Sequence, residues 1–252
     1  KAKEVLRSML FMPLEDENHP AVMIVMDKVE SSDASFKKSW LLHTQEEPQV
    51  DGSKTIVTRR EKQYNGRMVV ETLLPKSAEI TKIGGEGKES WVDGKNYPSS
   101  VKYKPESDSE AKGWGRVEIS PKGKNTLDYY LNVMTVSDAD TQAPDLQSAL
   151  IENDDIAGAV ISDRVAVFAK NKERISKSLT FDIPAEGRYK VFAGGLRDGT
   201  WKTQDGTTFI VTKDGAAGYF ESSGGAVTLT YVSPNNRREE IVGVIDESDD
   251  IG

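Results

Sequence analysis

Cysteine is absent from the 252-residue sequence, and His19 and His43 are its only two histidines. The absence of cysteine excludes disulfide frameworks, thiolate metal sites and cysteine nucleophiles. Two histidines are too few for a metal site that is built from histidines alone. Long apolar runs are missing as well, because no stretch of about 18 consecutive apolar residues occurs. The composition therefore predicts a soluble globular protein.

Positive charge is neither in excess nor clustered. The chain carries 33 Lys and Arg against 41 Asp and Glu, a formal net charge of −8, and it contains no run of five basic residues. Binding to nucleic acid needs clustered positive charge, so we expect no nucleic-acid partner. Familiar catalytic motifs are also absent: there is no Gly-x-Ser-x-Gly elbow, and Gly84-Gly85-Glu86-Gly87 lacks the Lys-Ser/Thr of a phosphate loop. Catalysis by this chain alone is not predicted.

Turn residues and alternating apolar residues dominate what is present. Apolar and polar residues alternate along residues 178–183 and 227–231, as in half-buried strands, and residues 21–26 form a short apolar run typical of a central strand. Six pairs have the composition of two-residue hairpin turns: Asp51-Gly52, Asn65-Gly66, Asp93-Gly94, Asp198-Gly199, Asp205-Gly206 and Asp214-Gly215. Only residues 144–152 have helical spacing. We predict an all-β protein of about fifteen strands in stacked antiparallel sheets, as one sandwich or two in series.

The domain organisation is predicted from changes along the chain in the spacing of strands and turn residues. Residues 1–165 are assigned to a main β-sandwich and residues 166–235, where hairpins follow at short spacing, to a smaller terminal β unit that packs on it or continues it. Residues 236–252 are rich in Asp and Glu and are predicted to form a solvated tail. Because the sequence starts at Lys1 without an initiator Met or an apolar leader, we expect a further segment upstream.

His43 is the main candidate for chemistry. His43 follows the apolar stretch Trp40-Leu41-Leu42 and precedes a polar segment, so it is expected at the end of a strand. An imidazole can transfer a proton or stabilise a neighbouring negative charge near neutral pH. The alternative is a partly buried histidine that is hydrogen-bonded to the backbone. His19 precedes Pro20 in an acidic segment and is expected in a surface loop.

Candidate binding residues are aromatic or basic. Trp91 is a candidate platform for a sugar ring, with core packing as the alternative for it and for the other three tryptophans. Tyr97 follows Asp93-Gly94 and is expected on a loop. Arg60 belongs to a basic cluster around the strand at residues 55–58, which either holds uronate or sulfate groups or forms a charged strand face: Lys54, Arg59, Arg60, Lys62 and Arg67.

Several segments, in this order and spacing, resemble the C-terminal β domain of the heparinase II/III-like polysaccharide lyases. The resemblance runs from about residue 5 to residue 232. Its segments are Arg7-Ser8-Met9-Leu10-Phe11, residues 21–29, Lys38-Ser39-Trp40-Leu41-Leu42-His43, residues 64–68 and 72–75, residues 114–121, residues 128–134 and Gly194-Gly195-Leu196-Arg197-Asp198-Gly199-Thr200-Trp201.

The resemblance implies a layered β-sandwich that packs against a separate N-terminal helical toroid domain, with an acidic polysaccharide in the cleft between them. Such enzymes cleave uronic-acid polysaccharides, such as alginate or heparin-like glycans, by β-elimination. In the family the helical domain supplies most of the acid and base groups, and the β domain supplies one histidine, which His43 matches. The isolated chain is therefore expected to be inactive, as part of a carbon–oxygen lyase.

The sequence contains no motif that specifies a cofactor. Some relatives bind zinc through a second histidine shortly after the first, but Gln45 and Glu46 follow His43 here. The alternative is a divalent metal (zinc, manganese or calcium) held by one histidine with Asp16, Asp27 or Glu46, although no spacing matches a known ligand motif. The resemblance also implies a periplasmic or secreted location, and the lack of a long apolar run predicts no membrane partner. The alternatives to the lyase hypothesis are a non-catalytic carbohydrate-binding β-sandwich and a structural or adhesive module.

Overall fold

The structure is a computed structural model that describes residues 1–61, 63–97 and 113–235. These three ranges contain twenty β-strands and no helix, so the predicted all-β class is confirmed. The same ranges hold no helix of the length and apolar character that crossing a bilayer requires. The predicted tail at residues 236–252 lies outside the described residues. The strand number exceeds the predicted fifteen, and three strands of only two or three residues account for part of the excess.

The N-terminal half forms two sheets and a small hairpin. All their strand pairs are antiparallel, as predicted. In spatial order, the six-stranded sheet consists of β1 (Ala2–Pro13), β2 (Ala21–Ser31), β11 (Leu127–Asp138), β6 (Gly66–Leu74), β5 (Lys54–Arg59) and β4 (Gln49–Asp51). The three-stranded sheet consists of β3 (Trp40–Thr44), β10 (Gly115–Pro121) and β7 (Ala78–Gly84), and the hairpin of β8 (Trp91–Val92) and β9 (Lys95–Asn96).

The C-terminal half forms two further sheets. The five-stranded sheet consists of β12 (Ser148–Glu152), β13 (Ile156–Ile161), β14 (Arg164–Ala169), β16 (Tyr189–Gly194) and β19 (Ala217–Ser222). The four-stranded sheet consists of β15 (Ser178–Ile183), β20 (Gly225–Ser233), β17 (Gly199–Thr203) and β18 (Thr208–Val211). One pair, β14 with β16, is parallel, because the chain crosses to the other sheet through β15 before it returns.

Three apolar cores separate the sheets into four layers. Trp40 and Val117 of the three-stranded sheet pack with Tyr130 of the six-stranded sheet. The next residue along β11, Leu131, points to the opposite face and packs in a second core with Ala159 of the five-stranded sheet. This alternation lets one strand contribute to two cores, and each fully buried aliphatic or aromatic side chain there contributes roughly 1.5–3 kcal/mol. The predicted stacked arrangement is confirmed.

The third core lies between the five- and four-stranded sheets. Val167 of β14 and Leu229 of β20 are fully buried there, together with Trp201. The predicted division between residues 165 and 166 falls within β14, which pairs with β13 on one side and with β16 on the other. The assignment of two domains stays a prediction.

The short helix predicted at residues 144–152 is wrong, because Ser148–Glu152 forms β12 and pairs with β13. Leu150 and Ile151 are adjacent apolar residues that looked like part of one helical face. In the structure they point to opposite faces: Leu150 packs on the second core and Ile151 belongs to the third. A strand that is covered on both faces shows no period of two, which explains the error.

Four of the six predicted turn pairs lie at hairpins between paired strands. Asp93-Gly94 forms the two-residue turn of the β8–β9 hairpin, with φ of 45° and 85°. Asp51-Gly52 and Asp205-Gly206 lie at the β4–β5 and β17–β18 hairpins. Asn65-Gly66 stands at the start of β6, which pairs with the preceding β5, and the other two pairs stand in connections between strands that do not pair with each other.

Candidate functional site

Strand β3 directs His43 to the outer face of the three-stranded sheet. Side chains alternate along a strand, so Trp40 is buried in the first core whereas Leu41 is 48% exposed. His43 is exposed on the same side as Leu41. It is therefore not a buried histidine that serves packing.

Strand β10 places two charged residues beside His43. In the antiparallel register Arg116 lies opposite His43 and Glu118 lies opposite Leu41, and residues in opposite positions point to the same face. Val117 occupies the other face, in the first core. Arg116 and Glu118 are nevertheless only 6% and 7% exposed. Charged residues that are so deeply buried need partners.

Glu118 receives hydrogen bonds from two cations. Arg116 donates to Glu118 Oε1 from Nε at 3.0 Å and from Nη2 at 2.7 Å, and Lys37 Nζ donates to Glu118 Oε2 at 2.6 Å. Burial by itself raises the pKa of the Glu118 carboxyl, but the hydrogen bonds from Lys37 and Arg116 outweigh it and lower the pKa below its usual value. Glu118 is therefore a carboxylate that fixes both cations.

The third guanidinium nitrogen of Arg116 binds the β8–β9 hairpin. Its Nη1 donates to the Trp91 carbonyl oxygen at 2.6 Å. The hairpin is closed further by Asn96, whose Oδ1 accepts from the Ser90 backbone N at 2.9 Å, and by the Tyr97 backbone N, which donates to the Ser90 carbonyl at 3.1 Å. These bonds place Trp91 and Tyr97 over the same edge of the three-stranded sheet.

A groove of about 960 Å³ lies between the three-stranded sheet and the hairpin. It brings together three of the four residues predicted from the sequence: His43, Trp91 and Tyr97. Tyr97 is 55% exposed, and Lys95 Nζ lies 5.1 Å from the centroid of its ring. We call this space the His43 groove. Its lining residues include Lys37, Ser39, Leu41, Glu89, Arg116 and Glu118.

Arg60 does not line the His43 groove. It is exposed after β5, and its Nη2 donates to the Ala139 carbonyl at the end of the six-stranded sheet. Other members of the basic cluster also have partners there: Arg67 makes a bidentate pair with Asp145, and Arg59 pairs with Glu46 at 3.2 Å. Lys62 lies outside the described residues. The role of Arg60 in binding stays a prediction.

The candidate metal ligands do not converge. Within the three described ranges there is no group of three His, Cys, Asp or Glu residues that could hold a metal ion. Glu46, which follows His43 closely, is paired with Arg59, and Asp27 is paired with Arg7 at 2.7 Å. The residues near His43 do not fit a metal centre, and no step of the chemistry below is assigned to a metal.

The expectation of a surface loop for His19 is wrong. The side chain is only 4% exposed, and its Nδ1 lies 3.7 Å from Asp16 Oδ2. Leu14 is buried and its backbone N donates to the Pro20 carbonyl at 3.0 Å, so the chain folds back around His19. Local composition does not predict this burial, because it depends on the closing of the turn between β1 and β2.

Arg116 and Glu118 are the site residues that sequence reasoning missed. The alternation in Arg116-Val117-Glu118-Ile119 carried the signal, since it puts both charges on one face and both apolar residues on the other. Their spacing alone does not show that the charged face borders a groove. The groove depends on the β8–β9 hairpin, which is distant from Arg116 in the sequence and contacts it through the Trp91 carbonyl oxygen.

Comparisons with known proteins bear on the C-terminal sheets. Residues 150–231 match the family model described as the heparinase II C-terminal domain. This segment, about a third of the chain, extends from β12 into β20 and makes up the five- and four-stranded sheets. No curated protein matches the chain. The resemblance to the C-terminal domain of heparinase II/III-like lyases is thus supported by an independent match to that segment.

Proposed function

We propose that this chain is the β domain of a polysaccharide lyase that cleaves a uronic-acid polysaccharide, such as alginate or a heparin-like glycan, by β-elimination. The family match at residues 150–231 supports the lyase class. The main support for an active site in this chain is that His43, Trp91 and Tyr97 line one groove. A groove of about 960 Å³ accommodates sugar rings, and an exposed histidine at its floor is available to them.

The reaction defines what His43 has to do. A base removes the proton at C5 of the uronate, the released electron pair forms the C4–C5 double bond, and the bond from C4 to the glycosidic oxygen breaks. An acid then protonates that oxygen. Proton loss at C5 is slow unless the charge that develops on the uronate carboxylate is stabilised. We assign His43 to carboxylate neutralisation or to proton transfer in this sequence.

Arg116 is a less suitable partner for the uronate carboxylate, despite its position beside His43. Its Nε and Nη2 are bound to Glu118, and its Nη1 is bound to the Trp91 carbonyl. We therefore assign Arg116 and Glu118 to positioning, since they hold the hairpin that carries Trp91. Trp91 and Tyr97 then supply ring faces for the sugar, for which aromatic side chains are suited.

The rest of the machinery is proposed to come from another domain. A match to a domain named C-terminal implies a domain that precedes it in the same enzyme. We propose that this partner is the helical toroid domain implied by the resemblance, with the polysaccharide between the two. We propose a periplasmic or secreted location on the same basis, because the enzymes that the chain resembles degrade external polysaccharides.

Substitution of His43 in the two-domain enzyme tests the proposal. His43→Ala is expected to lower kcat by about 100-fold, as measured by the ultraviolet absorbance of the unsaturated uronate product. The matched control is Tyr219→Ala, which removes another exposed side chain on the distant five-stranded sheet. Because His43 is exposed, both variants should melt at the wild-type temperature. A wild-type kcat for His43→Ala would remove this residue from the mechanism.

A non-catalytic carbohydrate-binding module is the second candidate. It is favoured by one observation: Trp91 lines both the His43 groove and a neighbouring cavity that contains Trp114 and two lysines. Such a module binds glycan with the same affinity whether or not His43 is present. Binding of the His43→Ala variant, measured alongside its activity, therefore separates the two functions.

A further inference from the structure

Trp114 occupies an unusual position at the end of the three-stranded sheet. A Cβ atom at Gly84 would lie 2.6 Å from Trp114 Cε3 and 2.4 Å from the Trp114 carbonyl oxygen. The indole therefore lies directly on the backbone of Gly84, in space that any larger residue would fill. Two backbone hydrogen bonds hold it there: Gly85 N donates to the Trp114 carbonyl at 2.8 Å, and Trp114 N donates to the Thr44 carbonyl at 2.9 Å.

Trp114 and Trp91 line a cavity of about 280 Å³ next to the His43 groove. We call it the tryptophan cavity. The backbone of Trp91 is fixed by Arg116, as described above. Both indoles are partly exposed, whereas the other two tryptophans are buried, Trp40 at 6% and Trp201 at 0% exposure. The protein thus keeps two of its four indoles at the surface, close together and on rigid supports.

Two lysines accompany the two rings. Lys88 Nζ lies 5.7 Å from the centroid of the Trp91 ring, and Lys82 Nζ lies 5.6 Å from that of Trp114. Lys82 also donates to Glu47 Oε1 at 2.7 Å and to the Pro48 carbonyl at 3.0 Å, so its charge is partly compensated. Lys88 is exposed and stands at the rim of the cavity. It is the cation that can turn towards an anionic ligand.

We infer that the tryptophan cavity is a binding subsite for an acidic sugar residue, separate from the position at which His43 acts. Ring faces of tryptophan pack on the apolar face of a pyranose, and an ammonium group beside them favours a carboxylate or sulfate substituent over a hydroxyl. Trp91 belongs to both spaces, so a bound chain would continue from the cavity into the groove. The inference rests on the proposed function for the identity of the polymer.

The basic cluster around β5 is a weaker candidate for this role. Arg67 is engaged by Asp145, and the Arg59 guanidinium lies 3.8 Å above the Tyr64 ring while pairing with Glu46. The cavity beside these residues, about 440 Å³, is lined by arginines that already have acidic partners. An anionic sugar there would have to displace them, whereas Lys88, which lies beside the Trp91 ring, has no acidic partner to displace among the described residues.

Calorimetric titration of the 252-residue chain tests the inference. The probes are a mannuronate tetrasaccharide, which is acidic, and cellotetraose, which has the same type of linkage but no charge. The variants are Trp114→Ala and Lys88→Ala. Their matched controls, Tyr219→Ala and Lys202→Ala, remove an exposed aromatic residue and an exposed lysine from other sheets. We expect Trp114→Ala and Lys88→Ala to raise Kd for the acidic probe at least about fivefold.

The control variants and the uncharged probe also have expected results, and two outcomes would overturn the inference. We expect the controls to keep Kd within about twofold of wild type and cellotetraose to bind at least about tenfold more weakly than the acidic probe. Failure of the wild-type chain to bind the acidic probe, or equal Kd values for all variants, would overturn the inference. Protection of tryptophan fluorescence from acrylamide by the acidic probe gives a second measurement on the wild-type chain, because Trp91 and Trp114 are partly exposed whereas Trp40 and Trp201 are buried.

The outcome is distinguishable from failure of the proposed function. If Trp114→Ala has no effect on binding while His43→Ala abolishes elimination in the two-domain enzyme, the cavity is not a subsite but the lyase proposal stands. If Trp114→Ala weakens binding while the two-domain enzyme shows no elimination, the cavity is a sugar site of a binding module.

Discussion

Arg116 donates a hydrogen bond from Nη1 to the carbonyl oxygen of Trp91 at 2.6 Å, and this bond connects the buried charges of the three-stranded sheet to an aromatic residue of the candidate site. The two residues are 25 positions apart in the sequence. The arginine is buried and held by Glu118, so it presents a rigid donor to the hairpin. The position of Trp91 therefore depends on an ion pair that itself lies beside His43.

Removal of Arg116 should cost both stability and binding. Arg116→Met leaves the Glu118 carboxylate buried with one of its two cations missing, and breaking a buried pair costs about 3–5 kcal/mol. We expect a lower free energy of unfolding by about 3 kcal/mol, measured by urea denaturation, and weaker glycan binding because Trp91 loses its anchor.

The double variant Arg116→Met/Glu118→Met is the control for this prediction. Replacing both members of a buried pair by apolar residues is often nearly neutral, so it should recover most of the lost stability. It should not recover glycan binding, since the anchor of Trp91 stays absent. Equal stability of Arg116→Met and wild type would show that the ion pair contributes nothing to the fold.

Acid stability should depend on Asp145. Its bidentate hydrogen bonds with Arg67 lower the pKa of the Asp145 carboxyl below the ordinary value of 3.8, against a smaller opposing effect of burial. A lowered folded-state pKa stabilises the protein above pH 3.8, and this stabilisation is lost as the pH falls through the folded-state pKa. Asp145→Asn should therefore lose less stability than wild type between about pH 4 and pH 2.

Thermal melting across that pH range measures the effect. Arg67→Gln removes the partner instead of the titrating group, so it should reduce the same part of the pH dependence. The double variant should behave like either single variant, because both act on one interaction. Parallel curves of Tm against pH for wild type and Asp145→Asn would contradict the assignment.

The sequence predicted the fold class and part of the site, for reasons that differ from residue to residue. Strands with one buried and one exposed face alternate clearly, so the pattern at residues 178–183 predicts a strand correctly. The pattern at residues 144–152 does not, because Leu150 and Ile151 pack against sheets on opposite faces. His43, Trp91 and Tyr97 were chosen one by one from residue type. Their convergence rests on the contact between Arg116 and Trp91, which no local pattern contains.

The closely packed interface between the six- and five-stranded sheets should not tolerate a larger residue. Ala159 is fully buried in the second core, where it contacts neighbours from both sheets. Ala159→Leu adds three carbon atoms to this space and should lower the free energy of unfolding by about 1–3 kcal/mol. Ala226→Leu, on the exposed face of β20, is the control and should have little effect. Urea denaturation of both variants would contradict the layered packing if they were equally stable.

Gly84→Ala should disturb the tryptophan cavity and the backbone at the end of the three-stranded sheet. The new Cβ would lie 2.4 Å from the Trp114 carbonyl oxygen and 2.6 Å from its Cε3, so both the backbone and the indole of Trp114 have to shift. Gly66→Ala is the matched control, since a Cβ at Gly66 meets nothing within 4 Å. We expect Gly84→Ala to weaken binding of the acidic tetrasaccharide at least about fivefold and to increase acrylamide quenching of Trp114. Gly66→Ala should bind and quench like wild type, and unchanged binding by Gly84→Ala would mean that the seating of Trp114 on the glycine is irrelevant to sugar recognition.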